Sequence, residues 1–231
     1  MKKQHSIARK LQLLVALAVI ISCVAVTFIS ITLFSGSFST WIKGNLETAY
    51  TGATSTLDEW QTSLESSAKV FSAHSDLQQA IASDNLIEVN KIIDPQARNV
   101  DADCIFITDK TGRIIYSSAT SSFNRKSDSL SSIKTALSGK NGVSIQEFNT
   151  ISYGLFVSEP IYRGMNIIGT VTLGFDLAKN DFISAIQNSY DVECTIFRGK
   201  TRVATTLKMK NGSALVGTEL DNNEILTKVL E

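Results

Sequence analysis

Histidine and proline are nearly absent. Two prolines, Pro95 and Pro160, and two histidines, His5 and His74, occur among 231 residues. With no proline from residue 35 to residue 94, nothing there forces a helix to break. With His74 alone after the N-terminal tail, a Ser-His-Asp or Cys-His arrangement has one candidate base. Cysteine is also scarce: residues 23, 104 and 194 show no CxxC or other metal-ligand spacing. Cys104 and Cys194 read as small apolar residues in strands, a disulfide between them being the lesser reading. No nucleophile elbow, Walker loop, dinucleotide fingerprint or zinc-protease helix is present. Asp101 and Asp103, two apart before a strand, read as a solvated loop. No catalytic residue, metal site or cofactor is assigned, and an enzyme is not expected.

Charge is missing in two places. No acid precedes Glu47, and no basic run follows residue 10, so nucleic acid is a poor partner. Residues 11–34, "LQLLVALAVIISCVAVTFISITLF", contain no charge, proline or glycine. At about 1.5 Å per residue such a helix spans roughly 36 Å, enough for a hydrocarbon core of about 30 Å. Lys2, Lys3, Arg9 and Lys10 precede it, which predicts a cytoplasmic N-terminus and an extracytoplasmic remainder. A cleaved signal peptide would have an apolar region of only about 7–15 residues, so "SGSFS" at 35–39 is not taken as a cleavage site. Outside the anchor, 18 basic residues face 22 acidic ones, a mildly acidic ectodomain.

Beyond the anchor the chain is patterned. Leu46, Tyr50, Ala53, Leu57, Trp60, Leu64, Ala68 and Phe71 recur at gaps of three and four, predicting one long stalk helix that could pair in a homodimer. The helix breaks near His74, where Ser75 and Gln78 suggest a capping box. A short helix at 84–93 is expected to stop at Asp94-Pro95. "DCIFITDKTGRIIYSS", 103–118, reads as two strands about a tight turn. A serine-rich loop spans 117–129, and Leu130, Ile133 and Leu137 mark a helix ending at Gly139. Strands come next at 143–148, 153–162 and 167–176, then a helix at 178–189 with Phe182, Ile183 and Ile186 inward. The class is α+β with an antiparallel sheet. Helix and hairpin then recur at 194–207, suggesting a duplicated module, and "NNEILTKVLE" reads as a last helix. The predicted boundaries are a basic tail at 1–10, a transmembrane helix at 11–34, a first domain at 35–187 and an incomplete second unit at 188–231. The first module is expected to fold without residues 190–231.

A small-molecule pocket is expected where polar and aromatic residues meet strand ends. Tyr116 and Ser118 close the first hairpin, Arg125 lies in the serine-rich loop, Tyr153 begins the fourth strand and Asp176 ends the fifth.

The anchor, "LDEW" at 57–60, "ITDKTGRIIYSS", "ALSGK", "SEPIY" and "IIGTVTLGFDL", in this order, resemble the extracytoplasmic Cache domains of bacterial chemoreceptors. The continuation "YDVECTIFRGKTRVATTL" with "NGSALVGT" resembles the double Cache subtype, of which this would be the first domain and the start of a second. The resemblance implies a PAS-like five-stranded sheet, a small-molecule ligand under a covering loop and signalling by helix displacement. It also implies that Asp176 contacts a ligand amine, as in amino-acid-binding relatives. Where relatives carry basic residues, Ser117 and Phe156 stand, which disfavours an anion. The reading is the sensor of a methyl-accepting chemotaxis protein, expected to be a fragment because no second span or signalling helix is present after it. The sensor of a histidine kinase or diguanylate cyclase is the alternative. A pilin-like subunit is disfavoured because residues 11–34 hold no acid, and a membrane-anchored hydrolase would rest on His74.

Overall fold

The computed structural model describes residues 2–118, 130–149 and 151–221. The chain divides into two compact units, Met1–Tyr50 and Thr51–Glu231. Helix α1 (Lys2–Ser72) makes up the first and opens the second. In the first unit the apolar side chains from Leu11 to Phe34 are exposed, as a lipid-facing surface requires. Ser22, Thr27 and Thr32 turn their hydroxyls back onto the carbonyls of Ala18, Cys23 and Phe28 at 2.9, 2.8 and 3.1 Å, so these three hydroxyl protons are met within the helix. Among the described residues this is the one helix long and apolar enough to cross a membrane.

The second unit is built on a sheet. After α1 come α2 (Ser75–Ala82), α3 (Leu86–Ala97), β1 (Cys104–Asp109), β2 (Ile114–Ser117), α4 (Ser131–Leu137), β3 (Gly142–Phe148), β4 (Ile151–Arg163) and β5 (Asn166–Asp176). The remaining elements are α5 (Asn180–Tyr190), β6 (Thr195–Arg198) and β7 (Thr201–Thr205). The first five strands pair antiparallel in the order β2-β1-β5-β4-β3, so the fold is the expected α+β class. Lys110-Thr111-Gly112 turns β1 into β2, with Gly112 at φ +82°, a conformation only glycine adopts freely. Asp109 fixes this turn: Oδ1 accepts from the Thr111 and Arg113 N–H groups and the Thr111 hydroxyl, and Oδ2 accepts from Arg113 Nε at 2.9 Å. Partial burial opposes ionisation of Asp109, but the Thr111 and Arg113 donors outweigh it and hold the carboxyl below its usual range.

One face of the sheet packs on helices. Ile105, Ile107, Tyr116, Leu155, Val157, Ile161, Val171 and Leu173 meet Leu64, Ala68 and Phe71 of α1, with α2, α3 and α5. Trp60 joins them, its ring centroid 4.7 Å from Phe175 and 5.3 Å from Phe182. The predicted period of α1 is therefore a core stripe from Ala53 onward. The second hairpin, β6 and β7, packs Ala204, Ile196 and Cys194 on the same core.

Two predicted signals fail locally. The cap of α2 is His74, whose Nδ1 accepts from the Leu77 N–H at 3.4 Å, and the Ser75/Gln78 box does not form. Gln78 instead donates to the Ser72 carbonyl at 2.9 Å, meeting an acceptor left open where α1 ends. Nor does Asp94-Pro95 stop α3, which starts at Leu86 and runs to Ala97 with Pro95 in its last turn. There the ring forfeits one hydrogen bond, and tertiary contacts outweigh the loss: Ile93 is buried and Asp94 accepts from the Tyr116 hydroxyl at 3.0 Å. Both cysteines are free, Cys104 in β1 and Cys194 just before β6. The predicted last helix at 222–231 and the loop at 119–129 lie outside the described residues.

Candidate functional site

Side chains alternate across a strand, so residues between those of the helix-packed face point the other way. On that second face Cys104, Phe106, Ile114, Phe148, Ile151 and Phe156 form a separate core with Leu130 and Ile133 at α4. Phe148 stands edge-on to Phe106 and Phe156, with centroids 5.4 and 5.9 Å apart. The Phe156 ring lies across Gly154 on its own strand and Gly174 opposite it on β5. A Cβ at Gly154 or Gly174 would stand 2.8 or 2.6 Å from that ring, so both glycines give the phenyl its seat.

Beside the aromatic patch runs a buried row of hydroxyls. Thr172 and Ser158 are 2.8 Å apart, and Ser158 donates to Ser132 of α4 at 2.9 Å, which leaves Thr172 to donate to Ser158. Thr108 and Thr170 pair at 2.7 Å. Gln146 of β3 closes the open end of α4: its Oε1 accepts from the Ser131 N–H at 3.2 Å and the Ser131 hydroxyl at 2.8 Å. Ser144, opposite Phe156, has a buried hydroxyl oxygen without a hydrogen-bond partner. Unmet buried polar atoms are uncommon in folded proteins, and this one faces the aromatic patch.

At the end of β5 the face becomes acidic. Asp176 pairs with Gly154 in register, its Oδ1 accepts from the Ala178 N–H at 3.0 Å, and its N–H is held by Asp103 Oδ2 at 2.7 Å. Asp103 also pairs with Lys179. Burial, then the nearby Asp103 charge, raises the Asp176 carboxyl above its usual range, against the Ala178 N–H and Lys179. A cation brought to Asp176 would relieve that penalty. Cys104, which donates weakly to the Gly174 carbonyl at 3.6 Å, is pushed far up by burial and by Asp103 and Asp176, so it stays a thiol.

Of the predicted site residues, Asp176 lies at this end of the second face. Ser118 lies beside the β2 edge, its hydroxyl accepting from the Ile105 N–H at 2.8 Å. Tyr116 and Tyr153 belong to the helix-packed face, and burial and Asp94 push the Tyr116 hydroxyl far up, so it stays protonated. Asp176 and the two tyrosines are thus on opposite sides of the sheet. Arg125 lies outside the described residues. Sequence reasoning missed Asp103, read as a solvated loop, because its partners are more than 70 residues away. It also missed Ser144, Gln146 and the Phe156 seat; the facing pair Gly154 and Gly174 was the available signal. At the opposite end of the sheet a cleft of about 420 Å³ is lined by Asp84, Asp109, Lys110 and Arg163. There Arg163 already donates to Gln79 at 2.9 Å.

Residues 42–231 match the family described as the double sensory domain of two-component sensor kinase, dCache_3. The chain belongs to this double Cache family. No curated protein sequence matches it. Among solved structures, the sensor domain of the Vibrio cholerae histidine kinase DctB is 15% identical, with TM-score 0.56, over 71% of this chain. This chain spans 65% of that one. The ligand-binding domain of the Campylobacter jejuni chemoreceptor Tlp3 in complex with 4-methylisoleucine is also 15% identical, with TM-score 0.57, over 79% of this chain and 73% of that one. The Tlp3 sensory domain with isoleucine bound is 13% identical, with TM-score 0.52, over 81% and 72%. At these identities the likeness establishes the Cache fold, and the family match establishes a sensory domain.

Proposed function

We propose that this double Cache chain is the extracytoplasmic sensing region of a single-pass transmembrane chemoreceptor, binding a small amino acid rather than performing catalysis. Residues 11–34 anchor it in the bilayer with the basic tail in the cytoplasm. Residues 35–187 form the sensing Cache domain, and residues 188–231 begin a second. The stalk portion of α1 pairs two copies and carries the signal. The observation that carries the ligand reading is the second face itself, where a carboxylate raised by burial stands at the edge of an aromatic patch. A ligand amine would pair with Asp176, and an apolar side chain would lie against Phe156 and Phe148. The Tlp3 neighbours, crystallised with isoleucine, valine and norvaline, support ligands of that shape. Arg125, in the serine-rich stretch of the sequence, and Ser118 are the remaining candidate contacts; Tyr116 and Tyr153, across the sheet, would act through packing. A histidine-kinase output is the second reading, favoured by the family's own description.

The test is a thermal-shift screen of the full chain in detergent against aliphatic amino acids, amines and carboxylates, since ligands of the native state raise its melting temperature. Charge-assisted hydrogen bonds contribute roughly 1.5–3 kcal/mol, so Asp176→Asn is expected to weaken an amine ligand about ten- to a hundredfold. Stabilisation by carboxylates alone, lost in Arg125→Ala and kept in Asp176→Asn, would replace this with an anion site.

A further inference from the structure

Glu159 is the one buried charged side chain among the described residues, at 5% exposure, and its Oε1 has no hydrogen-bond partner. It stands on β4 between Val157 and Ile161, opposite Val171 of β5. Those neighbours pack with Leu64 and Ala68, so the Glu159 carboxyl enters the seam between α1 and the sheet. An apolar residue would fill this place without the cost of stripping water from a carboxylate.

Two charged groups act on it, both from α1: Lys69, which favours ionisation, and Glu65, which opposes it. Glu65 is itself engaged, its Oε1 accepting from Gln61 at 2.8 Å. No other charged group on α1, α2, β4 or β5 bears on Glu159 among the described residues. Lys69 is exposed, so its countercharge is weakened by solvent and does not make good the burial.

We propose that Glu159 is a proton-binding site through which the seam between α1 and the sheet responds to external acidity, separately from any ligand on the opposite face. That this acidity is external follows from the topology proposed for the anchor; the protonation itself does not depend on it. Burial, and then Glu65, hold the Glu159 carboxyl above the ordinary glutamate value of 4.5 despite Lys69. A raised folded-state value means that the neutral form fits the fold better. Its stabilisation is complete below 4.5 and is lost as pH rises through the folded-state value. Acidification therefore tightens α1 on the sheet, and return to neutrality loosens it. Because α1 is the element that continues from the first unit, its grip on the sheet is where a proton can be read.

The experiment is a series of thermal melts of the full chain in detergent, without ligand, from about pH 4.5 to about pH 8, for wild type and Glu159→Gln. Glutamine keeps the shape and cannot ionise. The variant should melt above wild type at the alkaline end, and the difference should vanish toward the acidic end. A difference that stays constant across pH, or none at all, overturns the proposal. Lys69→Met removes the countercharge without touching the buried carboxyl. It should move the midpoint of the wild-type pH dependence upward, and an unmoved midpoint likewise overturns it. Should Glu159→Gln fail to fold, the Lys69→Met midpoint decides. Ligand binding enters neither readout, so an incorrect ligand assignment leaves this result intact.

Discussion

Gly174 has little room to change on the second face. An added Cβ would stand 2.6 Å from the Phe156 ring and 2.9 Å from Cys104 Sγ, and both neighbours are buried. Overpacking of this kind costs about 1–3 kcal/mol, so Gly174→Ala should lower the melting temperature by several degrees. Adding Phe156→Leu should return part of the loss, because the smaller side chain vacates the space the new methyl needs. A neutral Gly174→Ala would show that the ring swings aside freely, making the aromatic patch a movable floor rather than a fixed one. Asp103 teaches a related lesson at the same end of the sheet. Its carboxyl spans from the Asp176 N–H to Lys179. Two aspartates two positions apart look like solvated loop until the fold brings the partners of Asp103 across from the end of β5.

The second-face helix α4 has seven residues and no capping side chain at Leu130, so its start depends on a residue from another element. Gln146→Ala removes that acceptor and leaves the Ser131 N–H unmet; the loss of a cap costs about 1 kcal/mol. Amide exchange in the first turn of α4 should speed up while exchange in β1 and β5 stays slow. Elements of this chain were legible wherever the period was long and unbroken. The stripe on α1 comes directly from spacing of three and four, and the strands at 143–148, 153–162 and 167–176 from β-branched runs bounded by turn residues. Element ends were less legible because distant groups decide them. Gln78 serves the end of α1 instead of boxing Ser75, and Tyr116 reaches Asp94 to keep α3 helical past the point where Pro95 was expected to stop it. The position of Asp176 at the end of β5 was visible from sequence, but the sidedness of Tyr116 was not, since the hairpin bulge between Ile107 and Thr108 shifts register within β1 and β2.

Across the whole second unit the two hairpins share one core. Ala204 is 1% exposed and sits in the same cluster as Leu64 and Val157, with Tyr190, Val192 and Ile196 packed alongside. Arg198 also pairs with Glu147 on β3. A chain ending at residue 189 should therefore keep its five-stranded sheet but melt several degrees lower, as circular dichroism would record; complete unfolding would mean that the boundary near residue 188 is misplaced. The sheet order has a consequence for how the molecule is born. β1 lies between β2 and β5, and the paired threonines of β1 and β5 are 62 residues apart in the chain. At about 5–20 residues per second of synthesis, β1 waits roughly 3–12 s for its central partner, with "CIFI" already out of the ribosome. Only the short β2 can pair with it meanwhile, and a two-stranded ribbon is marginal. Such a nascent chain is a natural client for a holdase, and the pace of translation between residues 110 and 176 sets how long it needs one.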